Sequence, residues 1–273
     1  RWLMRWTERC TAQLCDRVIC NSPSLLKFAR EEGVLAKSEG IVLGDGMSNG
    51  VDVTRFEPRS AQTNGIWGKL PDDPSPVLGF VGRLNRDKGI EELAATWRLL
   101  RNSHSRVRLL LVGGWEADNP VPSHIRASLE NDERVRITGF VSDVAPYYRA
   151  MSVFVFPSRR EGFPNAPMEA AAMELPVVAT QVVGNVDAVQ DGVTGTLVPP
   201  HDPQALASAI QRYLQNPELR EQHGRAGRRR VLRDFRSERI WELTRQEYVR
   251  LLRERGLHSP QVSESEPITH KAA

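Results

Sequence analysis

Phe154-Val155-Phe156-Pro157-Ser158-Arg159-Arg160-Glu161-Gly162-Phe163-Pro164-Asn165-Ala166-Pro167-Met168-Glu169-Ala170 runs from an apolar strand through a short loop into a helix. The strand ends at Pro157, and the loop carries the flexible Gly162 and the rigid Pro164. Asn165 has the side chain of an N-cap, and Pro167 fits a first helical turn. Ala170-Ala171-Ala172-Met173 continues the helix. Glu161 is thus placed at the carboxyl end of a strand, and Glu169, eight positions on, in the opening turns of the helix. Backbone N–H groups between them lack intrahelical acceptors and face the positive end of the helix dipole. Such a place suits an anion flanked by hydroxyl groups: amides take a phosphate, and carboxylates accept from sugar hydroxyls.

The same alternation extends outward. Apolar runs at 77–82, 106–112, 135–138, 152–156, 176–180 and 195–199 read as strands. Helical periods fall near 89–101, 123–130, 144–150, 166–174 and 203–215, and two or three further helices fill 217–256. Short apolar runs between helical periods predict βαβ units, hence an α/β fold with a doubly wound parallel sheet buried on both faces. Ahead of it, residues 2–16 read as a helix and Arg17-Val18-Ile19-Cys20 as a strand. Ser22-Pro23 opens a helix that stops at Gly33, and Ile41-Val42-Leu43 is a second short strand. This resembles the last part of another α/β domain. The expected division is 1–48 for that remnant, 49–75 for linker and loops, and 76–235 for the regular domain. A C-terminal helix follows at 236–256, and 257–273 is a polar tail expected to be disordered. The chain opens on Arg1 without Met, in what reads as mid-helix, so a fragment of a longer protein is expected. In open parallel sheets ligands collect at the carboxyl ends of the strands, here the loops 82–88, 113–122, 139–143 and 157–165.

Composition bounds the chemistry. Forty per cent apolar and 26% charged residues are ordinary for a globular protein, and net charge is +3. No apolar run approaches the roughly 18–20 residues of a spanning helix. Cys10, Cys15 and Cys20 fit neither a zinc site nor a disulfide framework, which predicts buried, reduced thiols. Residues 212–255 hold thirteen Arg against seven Asp or Glu. That excess is either a solvated helical face or a surface attracted to acidic lipid. Aromatic residues are not interleaved with it as nucleic-acid binding requires, so no nucleic-acid partner is expected. There is no Gly-x-Gly-x-x-Gly after the first strand and no Gly-x4-Gly-Lys-Ser/Thr, which argues against a dinucleotide dehydrogenase and a P-loop NTPase. A glycoside-hydrolase acid/base pair is the rival reading of Glu161 and Glu169, but a loop–helix placement with amides between suits phosphate and hydroxyl binding better. Arg83 and Lys88 flank the turn after the first strand, as surface charges or as ligands of a diphosphate. Gly113-Gly114 ends the second strand as a tight turn or as room for a nucleotide.

At this point the sequence resembles a known family. Glu161 to Glu169 is similar to the Glu-x7-Glu motif of the retaining, nucleotide-sugar-dependent glycosyltransferases of family 4, which have the GT-B fold. Val81-Gly82-Arg83-Leu84-Asn85-Arg86-Asp87-Lys88-Gly89-Ile90 resembles their donor-phosphate loop, and Ser48-Asn49-Gly50-Val51-Asp52-Val53-Thr54-Arg55-Phe56 the segment entering the donor domain. Asp191-Gly192-Val193-Thr194-Gly195-Thr196-Leu197-Val198-Pro199 resembles their late hairpin. The four segments stand in the family's order and cover roughly residues 16–235.

The resemblance implies a C-terminal donor domain and the end of an acceptor-binding domain. It implies transfer of a sugar from a nucleoside diphosphate sugar to a glycan or polyprenyl-linked acceptor, with retention, in bacterial cell-surface polysaccharide or glycolipid assembly. Gly82, Arg83 and Lys88 would hold the diphosphate, with Arg83, Lys88 and Glu161 as the catalytic set. Glu161 would take donor-sugar hydroxyls, and Glu169 the ribose hydroxyls. Gly162, Phe163, Pro164, Asn165 and Ala166 would supply amides or shape to the sugar pocket. Phe140 and Val141 would pack on the base. Where many members carry a Gly-Leu-Pro-type segment, this chain has Pro164-Asn165-Ala166, which leaves the donor sugar open. No Asp-x-Asp pair is present to bridge a metal, so no metal and no cofactor are expected. The implied location is cytoplasmic, at the inner face of the membrane. A non-catalytic nucleotide-sugar-binding module is the alternative.

Overall fold

The structure, a computed structural model, describes residues 2–36, 40–58 and 75–257. Six strands form one sheet: β1 (Val77–Val81), β2 (Arg108–Val112), β3 (Val135–Ile137), β4 (Val153–Phe156), β5 (Val177–Thr180) and β6 (Gly195–Val198). Their order is β3-β2-β1-β4-β5-β6, and every pair is parallel. Helices α3 (Ile90–Ser103), α4 (Ser123–Glu130), α5 (Ala145–Arg149), α6 (Asn165–Ala172), α7 (Asn185–Ala188) and α8 (Pro203–Gln215) alternate with the strands. Two long helices, α9 (Pro217–Asp234) and α10 (Ser237–Glu254), close the described chain. The central strands β1, β4 and β5 are buried at every position, as continuous apolar runs between two helical layers must be. Phe80, Phe154 and Phe156 stack in a row within that core.

Several helix starts follow from local chemistry. Asp202 caps α8 by accepting from the Ala205 N–H, Asn216 caps α9 through Leu219, and Pro203 and Pro217 occupy the first helical positions. α3 instead starts at Gly89, which is left-handed at φ 71°. A Cβ on Gly89 would lie 2.0 Å from the Pro157 carbonyl oxygen. The loop after β1 therefore touches the loop after β4 backbone to backbone. Gly89→Ala is expected to cost about 2–4 kcal/mol, combining left-handed strain with overpacking. A shift of the urea midpoint measures it, and an unchanged midpoint would contradict the contact.

Other expectations are corrected. Arg17–Cys20 and Ile41–Leu43 do not form strands; they meet in one parallel bridge, Ile19 with Ile41. They lie beyond α1 (Trp2–Gln13) and beside α2 (Pro23–Glu31), with no described strand alongside to extend the pairing. The Asp191–Pro199 segment is a turn that leads into β6 rather than a hairpin. β6 pairs parallel with β5, while Asp191 folds back to accept the Leu197 N–H. Helix α7 leaves no mark in the sequence pattern, because four residues are too few to show a period. The cysteines are not uniformly buried: Cys20 is, Cys10 is partly covered, and Cys15 is exposed at the end of α1. The linker's residues 59–74 and the tail beyond Leu257 lie outside the described residues.

The segment that leads toward β1 is not loose. Val51 bridges to Arg236, and Phe56 is buried with its ring edge-on to Tyr148, 5.8 Å between centroids. α9 ends and α10 begins beside Gly50, where a Cβ would meet the Ser237 Cα at 2.5 Å.

Candidate functional site

The strand order reverses between β1 and β4: chain continuing from β1 moves to one side of the sheet, and chain continuing from β4 to the other. The loops that follow β1 and β4 at this reversal mark the usual ligand position in such sheets. The two loops carry Lys88 and Glu161. The Lys88 Nζ lies 2.5 Å from Glu161 Oε1, and the Ser158 hydroxyl donates to the same oxygen at 2.6 Å. Both charged side chains are mostly covered, 19% and 11% exposed. Lys88 also lies over the Phe156 ring, 5.4 Å from its centroid. Sequence reasoning gave Lys88 and Glu161 separate tasks; the structure makes them one ion pair.

Around this pair the loops are tied to each other. The Arg159 N–H donates to the Asp87 carbonyl at 2.8 Å, and its guanidinium binds Glu91 and Glu92 at the start of α3. Those carboxylates hold the Arg159 guanidinium more firmly protonated than usual, against the opposing effect of its partial burial. The Ser158 carbonyl accepts from the Thr180 hydroxyl, and buried Asn185 donates to the Thr180 carbonyl at 3.0 Å. A polar chain thus runs from the β5 end to Glu161. The Asn185 Oδ1 is buried with no hydrogen-bond partner among the described residues.

Glu161 leads into α6, and here one assignment changes. The N-cap is Pro164, with no side-chain cap, so Asn165 is the first helical residue. The Pro164 ring fixes a φ of −79°, and its ψ of 132° is extended, as a capping residue's must be; Asn165 follows already helical. Among the described residues no acceptor takes the N–H of Gly162, Phe163, Asn165 or Ala166. Uncapped amides at a helix start form an anion-binding surface. The Phe163 side chain points away from it, buried against Phe235 with centroids 5.5 Å apart, so that residue offers the pocket backbone only.

Glu169 lies one turn deeper. Tyr148, completely buried on α5, donates its one hydroxyl hydrogen to Glu169 Oε2 at 2.9 Å, and the Ala166 carbonyl lies 3.2 Å from the same hydroxyl. Burial raises the Glu169 pKa above the ordinary carboxyl value, against the lowering effects of the Tyr148 hydroxyl and Arg55. Burial and the adjacent carboxylate push the Tyr148 hydroxyl well above its usual range, so it stays a donor. A carboxylate held with one oxygen engaged and desolvated is prepared to accept from further hydroxyls.

Arg83 is placed differently from Lys88. It is 66% exposed and pairs with Glu116 at 3.0 Å. Glu116 also accepts from Asn85 at 2.9 Å, and Asn85 accepts the Lys88 N–H at 3.0 Å. Gly82 and Gly113, at φ 151° and 145°, let the ends of β1 and β2 approach: a Cβ on Gly113 would lie 1.9 Å from the Gly82 carbonyl oxygen. Phe140 stands 90% exposed at the mouth of the β3 loop, while Val141 packs partly on the core. The residues sequence reasoning missed are Ser158, Asn85, Glu116 and Tyr148. Ser158 and Asn85 lie inside the quoted motifs, where their polarity was a signal. Glu116 and Tyr148 come from other loops and helices, and nothing in their own neighbourhoods marks them.

A cation, carboxylates and amides without acceptors among the described residues are thus gathered at the reversal point of a parallel sheet. Residues 75–216, just over half of the chain, match the family described as glycosyl transferases group 1, and the chain belongs to that family. It is 38% identical over 244 residues to the capsular polysaccharide biosynthesis glycosyltransferase CapM of Staphylococcus aureus, covering 89% of this chain and 64% of CapM. Among solved structures it resembles sucrose-phosphate synthase from Thermosynechococcus elongatus, with a TM-score of 0.80 and 30% identity over 93% of this chain and 63% of that one. HepE of Anabaena, solved with UDP-glucose, shares the fold at a TM-score of 0.76 and 22% identity, over 89% of this chain and 68% of HepE. The chain thus spans less than two thirds of CapM and of the synthase. The fold is that of a GT-B glycosyltransferase.

Proposed function

We propose that this chain is the nucleotide-sugar-binding half of a retaining, family-4 type glycosyltransferase, joined to the end of an acceptor-binding half. The observation that carries the reading is the Lys88–Glu161 pair beside the amides at the start of α6 that find no acceptor among the described residues. In this reading the amides and Lys88 receive the diphosphate, with Arg83 at its outer edge. Glu161 accepts from sugar hydroxyls, Glu169 from the ribose, and Phe140 and Val141 flank the base. The glycosidic C1–O bond breaks with its electron pair going to the diphosphate. The acceptor hydroxyl attacks C1 from the same face, and its proton passes to the departing phosphate oxygen. Charge grows on the diphosphate as the bond breaks, so a fixed cation stabilises the transition state more than the ground state. Lys88 and the amides fill the role a divalent ion fills elsewhere. Turnover is therefore expected to persist in excess EDTA; loss on chelation, restored by Mg²⁺ or Mn²⁺, would contradict this.

The acceptor in this reading is a glycan or polyprenyl-linked lipid of a bacterial surface polysaccharide, which CapM's description supports. The implied site of action is the cytoplasmic face of the membrane. No helix among the described residues is long and apolar enough to cross a membrane. Several arginines of the basic region are turned inward: Arg220, Arg228 and Arg230 donate to backbone carbonyls. Contact with an anionic lipid face would fall to exposed residues such as Arg229, Arg236, Arg239 and Arg253. The deciding experiment offers a panel of nucleoside diphosphate sugars with candidate acceptors, and reads product anomers by proton NMR. Transfer with retention supports the proposal, inversion refutes it, and binding without turnover favours a non-catalytic module.

A further inference from the structure

Two of the first N–H groups of α2 are satisfied in different ways. The Leu25 N–H is taken by the Ser22 hydroxyl at 3.1 Å, an ordinary local cap. The Ser24 N–H is taken at 3.2 Å by Oδ2 of Asp187, 163 residues away on α7. The Ser24 hydroxyl donates to the same oxygen and accepts the Gly184 N–H at 2.8 Å. A carboxylate from the donor side of the molecule thus caps a helix on the other side, where the helix dipole favours it.

α7 is rigidly mounted. Arg230 of α9 donates to the Asp187 and Ala188 carbonyls, both at 2.6 Å, and Asn185 is buried against Thr180. Its start presses on the donor loop: a Cβ on Gly184, left-handed at φ 80°, would lie 2.6 Å from the Gly162 carbonyl oxygen. From the other side, a Cβ on Gly162 would lie 3.7 Å from the Leu25 side chain. The Gly162 backbone is therefore held between the start of α7 and the first turn of α2, one residue from Glu161.

We propose that Asp187 and Ser24 form a latch that sets the position of the Glu161–Gly162 loop according to how α2 is seated. Asp187 is then a positioning residue for the donor sugar, acting through Gly162 and Glu161. This rests on the donor-site reading above. In such a site the latch separates sugar handling from nucleotide binding, because Glu161 moves with it, whereas Glu169, tied to α5 through Tyr148, does not.

The test uses the chain with Asp187→Ala, Ser24→Ala, the double substitution, and Asp187→Glu. Hydrogen exchange is followed in segments 22–29 and 160–165. Either single change should speed exchange in both segments by about fivefold or more, the loss expected of one charge-assisted hydrogen bond, with β1 and β4 unchanged. The double change should cost less than the sum of the two single changes, because they share the hydroxyl–carboxylate bond, and Asp187→Glu should restore part of the protection. UDP affinity should stay within about twofold of wild type, while kcat for the donor that the wild type uses falls about tenfold. Unchanged exchange in both segments, or additive effects of the two changes, would overturn the latch. So would exchange rising throughout the sheet, since that marks a purely structural role. A wild type that binds no UDP would refute the donor-site reading, while the exchange measurements would still judge the contact between α2 and α7.

Discussion

Lys88→Ala should weaken UDP binding by about tenfold to a hundredfold, the worth of one desolvated charged hydrogen bond at about 1.5–3 kcal/mol. Turnover should fall further, because the charge on the leaving diphosphate is largest in the transition state. The substitution also leaves Glu161 covered, with Ser158 as its remaining partner. A stability loss of about 1–3 kcal/mol is therefore expected from the uncompensated carboxylate. Glu161→Gln in the Lys88→Ala background should recover much of that stability and none of the affinity. Arg83→Ala should be mild by comparison, within about threefold in affinity, because Arg83 is 66% exposed and screened by solvent. Sequence spacing treats Arg83 and Lys88 as equals, whereas their environments rank them. Equal and small effects of the two changes on UDP affinity would mean that both are surface charges.

Glu169→Gln should weaken UDP binding by about tenfold while leaving the free protein as stable as wild type or more so. Burial raises the Glu169 pKa, so the folded state favours the protonated form. The stabilisation that protonation brings is fully present below the ordinary value of 4.5 and is lost as pH rises through the raised folded value. At neutral pH the ionised carboxylate is thus a cost to folding, which the neutral amide avoids. In the donor-site reading the ribose needs the carboxylate, since an amide accepts through one oxygen only. UDP affinity should accordingly fall as the solution is acidified through the raised pKa, and Glu169→Gln should flatten that dependence. A glycoside-hydrolase pair predicts instead that neither Glu161→Gln nor Glu169→Gln alters nucleotide affinity. Thermal melting and calorimetry on the same samples separate these outcomes.

Both predictions rest on residues visible in the sequence, and the reasons are physical. Six buried strands announce themselves as apolar runs, since a sheet covered on both faces admits little else. The loop positions of Lys88 and Glu161 follow from those runs, and their place at the sheet's reversal follows from the strand order. What the sequence hides is pairing between distant segments. The Lys88–Glu161 contact joins residues 73 apart, and Ser24 with Asp187 spans 163. No local pattern encodes either. Tyr148 reads as one more aromatic residue on a short helix, and its hydroxyl matters only because α6 lies against it. The Asn165 assignment failed for a different reason. A cap propensity was outweighed by Pro164, whose fixed φ and extended ψ already end the loop one residue earlier.

In the donor-site reading the sheet edge formed by the loops after β1 and β4 holds a nucleoside diphosphate. Titration of UDP into the chain by calorimetry, with the fold verified by circular dichroism, tests it most directly. One site per chain is expected, weakened about tenfold or more by Lys88→Ala and by Glu169→Gln and barely by Arg83→Ala. Absence of binding by the folded wild type, or binding indifferent to both Lys88 and Glu169, would contradict it.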